Sequence, residues 1–281
     1  MDDAAVPQAR SVFGVDPLDE FALLVSDCVW DHCRNLGNIE IEAKIGVLID
    51  RGTQSRLRLP VFTETIVDAK QLNLRFESNM SMAQHRHFNQ LLNQAVAFSA
   101  QAAPPDRITY RHQKEIDSFY DERDPDTGHM VHMRVTRDAV THEVKPGGIV
   151  AKKRIADINV FAPNRPFDYR ISINTETPVP APQDGTEPSF VREKDRLSYT
   201  HQNMNIDLTQ VILPNKPKEP VHELEVEIRN SADLMQHAYL SRSQTQSGTQ
   251  EWTPFEDTIL VLLNNVRLLI RNAAPPQPPV A

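Results

Sequence analysis

The sequence is poor in cysteine and lacks a long apolar run. Cys28 and Cys33 are its only two cysteines, and their spacing is not that of a CxxC pair. Two thiols complete neither a zinc site nor a disulfide framework, so we interpret them as buried structural thiols. The longest apolar stretch, near Ile259 to Val266, is broken by Asn264 and Asn265 and falls far short of the ~20 residues of a membrane span.

Positive charge is in deficit as well. The chain has 30 Lys and Arg against 38 Asp and Glu, which gives a formal net charge of −8. A surface that wraps duplex or long single strands is usually basic, so this balance argues against general nucleic-acid binding. A nucleic-acid substrate would have to be held locally, by cations concentrated in one place. The acidic first ten residues are not a basic-then-apolar leader, and we expect a soluble, intracellular protein.

Hydrophobic periodicity divides the chain into helices and strands. A period of 3.6 predicts a first helix over 16–36, with Asp16 as its N-cap and Pro17 in its first turn. The other helices are expected at 81–101, 231–240 and 253–272. Elsewhere the period changes to 2, which predicts eight strands. They are expected at 38–48, 107–120, 130–138, 149–161, 167–176, 189–200, 204–212 and 220–229.

This order of elements predicts a mainly β (α+β) protein. Eight strands with few flanking helices favour an antiparallel sheet that closes on itself as a barrel. The Pro-rich segment 177–188 is predicted to be a long loop between two strands. We expect residues 1–15 to be a flexible N-terminus, residues 16–273 to form a single catalytic domain, and residues 274–281 to be a Pro-rich flexible tail.

Two strands near opposite ends of the chain carry glutamate at every second position. The segments IEIEAKIG at 39–46 and HELEVEI at 222–228 each place charged residues on one face and aliphatic residues on the other. Half-exposed strands with their charges in water would give this pattern too. Glutamate is depleted in strands, however, and like charges on one face repel, so five glutamates need a compensating cation. A hard, oxygen-ligated divalent metal supplies that charge. The charged faces hold Glu40, Glu42 and Lys44 in the first segment and Glu223, Glu225 and Glu227 in the second.

The remaining strands offer the opposite charge in the same alternation. If the sheet closes with its ionic faces inward, carboxylates line one side of the lumen and Arg and Lys line the other, while helices cover the apolar outside. Such a lumen fits a metal-bound polyphosphate, whose oxygens the cations would bind and whose developing charge they would offset. The candidate cations are Arg134, Lys152, Arg154, Arg192, Lys194 and Arg196, and the strand at 167–176 adds Arg170, Ser172, Asn174 and Glu176.

These segments resemble the triphosphate tunnel metalloenzymes, and more closely the fungal RNA 5′-triphosphatases of mRNA capping, the beta subunit of the capping enzyme. The resemblance rests on the two glutamate strands, on KKRIAD and REKDRLSY between them, and on the FTET and DYRISINTE segments. It extends from about Asp16 to Ala273. It implies a closed eight-stranded antiparallel barrel whose tunnel binds the triphosphate. The reaction it implies is removal of the γ-phosphate from 5′-triphosphate pre-mRNA ends, the first step of capping.

The same resemblance implies a role for each candidate residue. It implies that Glu40, Glu42 and Glu227 bind Mg²⁺ or Mn²⁺, that Glu223 and Glu225 are further essential carboxylates, and that Glu176 positions the attacking water. It implies phosphate contacts by Arg134, Lys152, Lys194 and Arg196, with Arg154 and Arg192 close by. It implies supporting positions at Asp117, Asp207 and Thr209. The alternatives to Lys152 and Arg134 are Lys153 and Arg137.

The resemblance also implies partners and a location. It implies a homodimer in the nucleus, recruited through an mRNA guanylyltransferase or the phosphorylated RNA polymerase II tail, without a membrane. Residues 1–15 show no obvious counterpart of the guanylyltransferase-docking peptide of some relatives. Two other functions stay open. One is a tunnel-fold tripolyphosphatase, nucleoside triphosphatase or cyclase that does not act on RNA, and the other is a non-catalytic phosphate-binding module.

Overall fold

The computed structural model describes residues 11–13, 18–104, 106–123, 128–244 and 252–274. The predicted flexible N-terminus and Pro-rich tail lie mostly outside these residues. No helix among them is long and apolar enough to cross a membrane. Their elements in chain order are α1 (Glu20–Cys33), β1 (Ile39–Asp50), β2 (Ser55–Arg56), β3 (Thr65–Val67), β4 (Leu74–Glu77), α2 (Met82–Ser99), β5 (Thr109–Arg123), β6 (Met130–Asp138), β7 (Val144–Phe161), β8 (Asp168–Pro178), β9 (Phe190–His201), β10 (Met204–Leu213), β11 (Lys216–Ile228), α3 (Ser231–Gln244) and α4 (Pro254–Arg271).

Eight long strands form a closed antiparallel barrel, which confirms the predicted fold class. Their order around the barrel is β1-β11-β10-β9-β5-β6-β7-β8, and β8 pairs with β1 again. The closing ladder joins the two glutamate strands, with Glu42 opposite Glu227 and Lys44 opposite Glu225. All eight correspond to strands predicted from the period-2 pattern. The two glutamate segments, far apart in sequence, are therefore neighbours in the wall.

Three short strands were not predicted. β2 and β4 pair with the second half of β1, and β3 pairs with the end of β7. β1 can accept β4 so closely because Gly46 has no side chain. A Cβ at Gly46 would lie 2.2 Å from the carbonyl oxygen of Glu77 and 2.7 Å from the Phe76 ring, so any larger residue would push β4 away.

The apolar faces of the barrel strands point outward, under the helices. On β1, Ile41, Ala43 and Ile45 are fully buried in the main core. Helices α1 and α4 contribute to the same core through one face each, as the 3.6 period predicts. This places helices on the outside of the barrel and leaves the inside to the charged side chains. Its helical contributors include Ala22, Val25, Val29 and Cys33 of α1 and Phe255, Ile259, Leu262, Leu263 and Val266 of α4.

Side-chain caps set where the helices begin. α4 starts with a capping box between Thr253 and Glu256, and α2 starts with one between Ser81 and Gln84. The predicted start of α1 was wrong, since the helix begins at Glu20 and Asp19 accepts a 3.0 Å hydrogen bond from the Ala22 amide. Asp19 rather than Asp16 is therefore the cap, and Asp16 and Pro17 lie outside the described residues.

Candidate active site

Carboxylates of β1 and β11 line one side of the barrel lumen. Lys44 joins the two strands, because its Nζ donates to Glu225 Oε1 at 2.6 Å and lies 3.6 Å from Glu42 Oε2. Burial opposes ionisation of Glu225, but Lys44 and Arg196 hold its pKa at about 2. Burial and the neighbouring Glu225 charge raise the pKa of Glu223. Unlike Glu225, Glu223 has no direct lysine contact among the described residues.

Cations of β9 line the opposite side, each paired with a carboxylate of a neighbouring strand. Lys194 Nζ lies 2.9 Å from Glu115 Oε2 and 3.0 Å from Asp117 Oδ2. Arg196 Nη1 lies 3.0 Å from Asp207 Oδ2 on β10. The lysine side chain is only 5% exposed, so its charge is held inside the lumen rather than in bulk water.

Asp117 on β5 positions several of these groups at once. It is fully buried and accepts a 2.8 Å hydrogen bond from Thr136 Oγ1 and a 3.0 Å hydrogen bond from Arg192 Nε, in addition to its contact with Lys194. Burial favours the neutral acid, but Lys194 and Arg192 lower the pKa of Asp117 to about 2. Asp117 therefore stays ionised and fixes the direction of two cations.

Glu176 at the end of β8 connects the cations of β6 and β7. Arg134 Nη2 donates to Glu176 Oε1 at 3.0 Å, and Lys152 Nζ lies 3.5 Å from the same oxygen. Lys152 also forms an ion pair with Glu40 and lies 3.7 Å from Glu42 Oε1. Asn174 completes this cluster by donating to both glutamates, at 2.8 and 3.1 Å.

Several buried polar atoms of the lumen lack a hydrogen-bond partner among the described residues. They are Arg134 Nε, Arg196 Nε, Asp207 Oδ1 and Thr209 Oγ1. Buried polar groups are normally paired, so four such atoms in one cavity indicate a site built for a polar ligand. The two guanidinium N–H groups would be satisfied by the oxygens of an anion, as in phosphate recognition by arginine.

The three predicted metal ligands fit a hard divalent cation by their chemistry. Glu40, Glu42 and Glu227 are oxygen donors on adjacent strands, with Glu42 directly opposite Glu227. Burial, together with the charges of Glu40 and Asp207, raises the pKa of Glu227 to about 8, so this carboxyl lies where a cation would stabilise its ionised form. Among the described residues, no three acidic, His or Cys side chains already converge as a metal-binding group.

The structure separates the two pairs of alternative residues. Lys152 lies opposite Glu176 on β8 and points into the lumen, whereas Lys153 is exposed to solvent. Arg134 reaches Glu176, whereas Arg137 lies an odd number of positions away and on the other face of β6. The lumen thus holds the predicted residues Glu40, Glu42, Glu223, Glu225, Glu227, Glu176, Arg134, Lys152, Arg192, Lys194, Arg196, Asp117, Asp207 and Thr209.

Arg154 lies opposite Asn174 on β8, on the same face as Lys152, and the register shift between Arg154 and Ala156 brings Asp157, opposite Ser172, onto that face as well. The Arg154 guanidinium is half exposed and pairs with Asp157 at 2.8 Å, while its Nε donates to Asn174 Oδ1. It therefore lies beside the lumen cluster and is already neutralised by a carboxylate. A one-residue bulge of this kind leaves no mark in a pattern of alternating residues.

Sequence reasoning missed other groups that hold the site together. Glu115 lies 2.9 Å from Lys194 and also forms an ion pair with Lys145, and these cations lower its pKa to about 2 against the effect of burial. Asp157 accepts from Ser172 Oγ at 2.8 Å. The alternation of Glu115 and Asp117 on β5 was a signal of the same kind as that of the glutamate strands.

The chain is similar to known proteins over most of its length. The family described as mRNA capping enzyme, beta chain, matches residues 15–275. The mRNA-capping enzyme subunit beta of Schizosaccharomyces pombe is 37% identical over 239 residues, which cover 83% of this chain and 74% of that protein. The subunit of Cryptococcus neoformans is 32% identical over 95% of this chain and 65% of that protein. The structure of the S. pombe Pct1 RNA triphosphatase in complex with the Spt5 CTD is 32% identical, with a TM-score of 0.84, over 95% of this chain and 100% of that chain.

Proposed function

The chain belongs to the mRNA capping enzyme beta-chain family, and we propose that it is a metal-dependent RNA 5′-triphosphatase. It removes the γ-phosphate from the 5′-triphosphate end of pre-mRNA and leaves a diphosphate end for the next step of capping. The observation that carries this proposal is the closed lumen in which a row of buried and partly buried cations faces five glutamates. A metal-bound triphosphate is a ligand whose charges match both sides.

Arg134, Lys194 and Arg196 bind the phosphate oxygens. Arg134 and Arg196 each have a buried Nε–H without a hydrogen-bond partner among the described residues. Lys194 is held by Glu115 and Asp117, so it is oriented before substrate arrives. Preorganised cations in a water-poor cavity stabilise the charge that develops on the leaving diphosphate more strongly than water does. The further phosphate contacts are assigned to Lys152, Arg154 and Arg192.

Glu40, Glu42 and Glu227 would hold the metal, Mg²⁺ or Mn²⁺. A bound divalent ion supplies positive charge that offsets the negative charge of the phosphate oxygens. Lys152 and Lys44 now neutralise Glu40 and Glu42, so these lysines share the carboxylates that the ion would bind. Glu223 and Glu225 keep the wall of β11 acidic, and Glu225 is the partner that positions Lys44.

Glu176 orients the attacking water. Its carboxylate is fixed by Arg134 and Lys152 beside the phosphate-binding cations, and it keeps lone pairs free to accept from water. No Ser, Cys or His is assigned as a nucleophile, so the reaction is direct hydrolysis without a covalent enzyme intermediate. Hydrolysis in ¹⁸O water should place the label in released orthophosphate, and label in the RNA product would contradict this assignment.

The deciding experiment uses an RNA labelled at its γ-phosphate, assayed with and without Mg²⁺ or Mn²⁺. The proposed function predicts metal-dependent release of labelled orthophosphate and an RNA with a 5′-diphosphate end. The second candidate, a tripolyphosphatase or nucleoside triphosphatase, predicts efficient cleavage of tripolyphosphate or ATP and little cleavage of the RNA. The acidic net charge of −8 is the observation that keeps the small-substrate function in consideration.

The family also supports a proposal for cellular context. We infer a nuclear protein that acts as a homodimer beside an mRNA guanylyltransferase or the phosphorylated tail of RNA polymerase II. The enzyme to which the product passes must accept a diphosphate RNA end, which a guanylyltransferase does. Sedimentation of the purified chain and co-purification with a guanylyltransferase test the two associations separately.

A further inference from the structure

Two phenylalanines extend the inner face of the barrel beyond the row of cations. Alternate residues of β9 face the lumen, and Arg196, Lys194 and Arg192 are followed in that direction by Phe190. Phe190 is the Cα partner of Phe119 on β5, which follows Glu115 and Asp117 on the inner face of that strand. We call Phe119 and Phe190 the aromatic ledge.

The ledge is organised by the same groups that organise the cations. The two rings lie 5.6 Å apart, centroid to centroid, at an angle of 42°. The Arg192 guanidinium lies 5.3 Å from the centroid of the Phe119 ring while its Nε donates to Asp117. Asp117 thus fixes Arg192, and Arg192 covers one ring of the ledge. A backbone hydrogen bond also holds the two strands together here, since the Ser189 N–H donates to the Phe119 carbonyl at 2.8 Å.

The ledge is not part of a core. Neither ring belongs to any of the three clusters of buried apolar residues among the described residues. Phe190 is 42% exposed, and Phe119 is partly exposed. Apolar rings that open onto an otherwise ionic cavity gain little by packing, so their place at the end of the cation row points to a ligand surface.

The position of the ledge matches the far end of a bound triphosphate. Along β9, Lys194 and Phe190 are separated by four residues, or roughly 13 Å at ~3.3 Å per residue. That is the span of a triphosphate with its ribose. The predicted metal carboxylates lie the other way, because the ladder aligns Glu227 with Asn205 and Asn205 with Thr200 at the opposite end of β9.

At the opposite end of the lumen, the inward-facing positions of β5 and β9 carry no second aromatic pair. Glu40 and Glu227, the proposed metal ligands, lie at that end and offer carboxylates rather than a stacking surface. The nearest aromatic side chain of β5, Tyr110, alternates to the outer face and stacks against Tyr199 at 5.3 Å. This arrangement favours an exit of the RNA body past the ledge.

We propose that the aromatic ledge stacks against the first nucleobase of the RNA while the triphosphate lies in the lumen. The inference rests on the proposed function and adds the contact that favours an RNA end over inorganic tripolyphosphate. Stacking on an aromatic ring is tolerant of base identity, because every base has a π-face. This tolerance suits an enzyme that acts on many transcripts.

The test compares two triphosphate-ended RNAs that differ only in whether the first nucleotide carries its base. The wild-type protein should cleave the intact RNA with kcat/KM about tenfold above that for the abasic RNA, the size of one base–aromatic stack. Phe190→Leu and Phe119→Leu keep apolar bulk but remove the ring. Each should lower kcat/KM for the intact RNA several-fold, mainly through KM, and leave the abasic RNA unaffected. Phe98→Leu is the matched control, since Phe98 is 94% exposed on α2 and outside the barrel.

Three outcomes would overturn the inference. Equal cleavage of both RNAs by the wild-type protein means that the first base is not bound. Equal losses on both RNAs in the Leu variants mean that the ledge supports structure, which thermal melts of the same variants would register. A wild-type protein that releases no phosphate from either RNA contradicts the proposed function itself, and the inference fails with it.

Discussion

Two glutamates of one strand, two residues apart and on the same face, are in opposite electrostatic states. Burial penalises ionisation of both Glu225 and Glu227. Glu225 touches Lys44, which holds its pKa at about 2, whereas the strongest neighbours of Glu227 are carboxylates and its pKa rises to about 8. The two pKa values differ because Lys44 contacts Glu225, whereas the nearest charged groups of Glu227 are other carboxylates. This difference is the physical basis for proposing that Glu225 positions Lys44 and that Glu227 binds the metal.

Lys152 and Lys153 provide a matched test of single side chains. Lys152→Ala removes the cation that contacts Glu40, Glu42 and Glu176, and it should lower turnover about a hundredfold, the usual size for losing one preorganised electrostatic contact. Lys153→Ala changes an exposed residue of the same strand and should leave turnover nearly unchanged. Steady-state phosphate release measures both, and similar losses in the two variants would refute the lumen register of β7.

Substitutions on the two faces of β1 should have opposite effects: one should remove activity and the other should lower stability. Glu40→Gln should abolish activity while the protein stays folded, because weaker repulsion among the glutamates offsets the loss of the ion pair with Lys152. Ile41→Asp places an unpaired charge beneath the helices at a fully buried site, and it should cost several kcal/mol. Urea unfolding and phosphate release of both variants check this. An active Glu40→Gln protein would be incompatible with a catalytic lumen.

Helix α2 contacts the barrel through a pair of histidines, and its stability should depend on pH. The rings of His85 and His222 lie 4.8 Å apart, and each has a buried Nε2 without a partner among the described residues. Burial and the neighbouring His222 lower the pKa of His85 to about 4, with Asp195 opposing this effect. Because the unfolded histidine titrates near 6.5, the unfolded state binds more protons between these values, and stability should fall as pH drops through that window.

His85→Leu removes this titration. The urea midpoint of the wild-type protein should fall between pH 7 and pH 5 by more than that of His85→Leu. Identical pH dependence in the two proteins would show that His85 titrates alike in both states.

At the level of the whole molecule, the Glu64 carboxylate connects the helical layer to the barrel through an ion pair with Arg267 and a hydrogen bond from Tyr169. Arg267 of α4 donates from Nε to Glu64 at 2.6 Å, lies 3.7 Å from Asp19 and stands 5.0 Å from the Phe21 ring. The Tyr169 hydroxyl of β8 donates to the other oxygen of Glu64 at 3.3 Å. The Glu64 of the FTET segment therefore ties α1, α4 and β8 together on the outside of the barrel.

Glu64→Ala should lower the melting temperature by several degrees, since it leaves the largely buried Arg267 with a weaker partner at a cost of about 2 kcal/mol. Its turnover at 20 °C should stay near the wild-type value, because Glu64 lies outside the lumen. Thr63→Ala, at the exposed neighbouring position, is the control. If Glu64→Ala instead loses turnover at 20 °C while its melting temperature is unchanged, Glu64 takes part in the reaction.

The long strands were predictable because a strand of nine or more residues repeats its alternation often enough to be recognised. The same alternation assigned Glu40, Glu42 and Lys152 to one face and Ile41 to the other, and charge repulsion among glutamates indicated which face needed a cation. β2, β3 and β4 escaped prediction because two to four residues carry no recognisable period. Asp16 was predicted as the N-cap of α1 in place of Asp19 because both residues suit that position in sequence.

The tertiary structure determined which side chains contact each other across neighbouring strands. Lys44 and Glu225 are 181 residues apart, and their contact exists only because β1 and β11 close the barrel. In the sequence, Asp117 looks like an ordinary strand carboxylate. Its contacts with Arg192, Lys194 and Thr136 arise only from the β5–β9 and β5–β6 ladders. The chain's local pattern settles the direction in which a side chain faces. Its partner is settled by closure of the sheet, because hydrogen-bond register across strands is a long-range property.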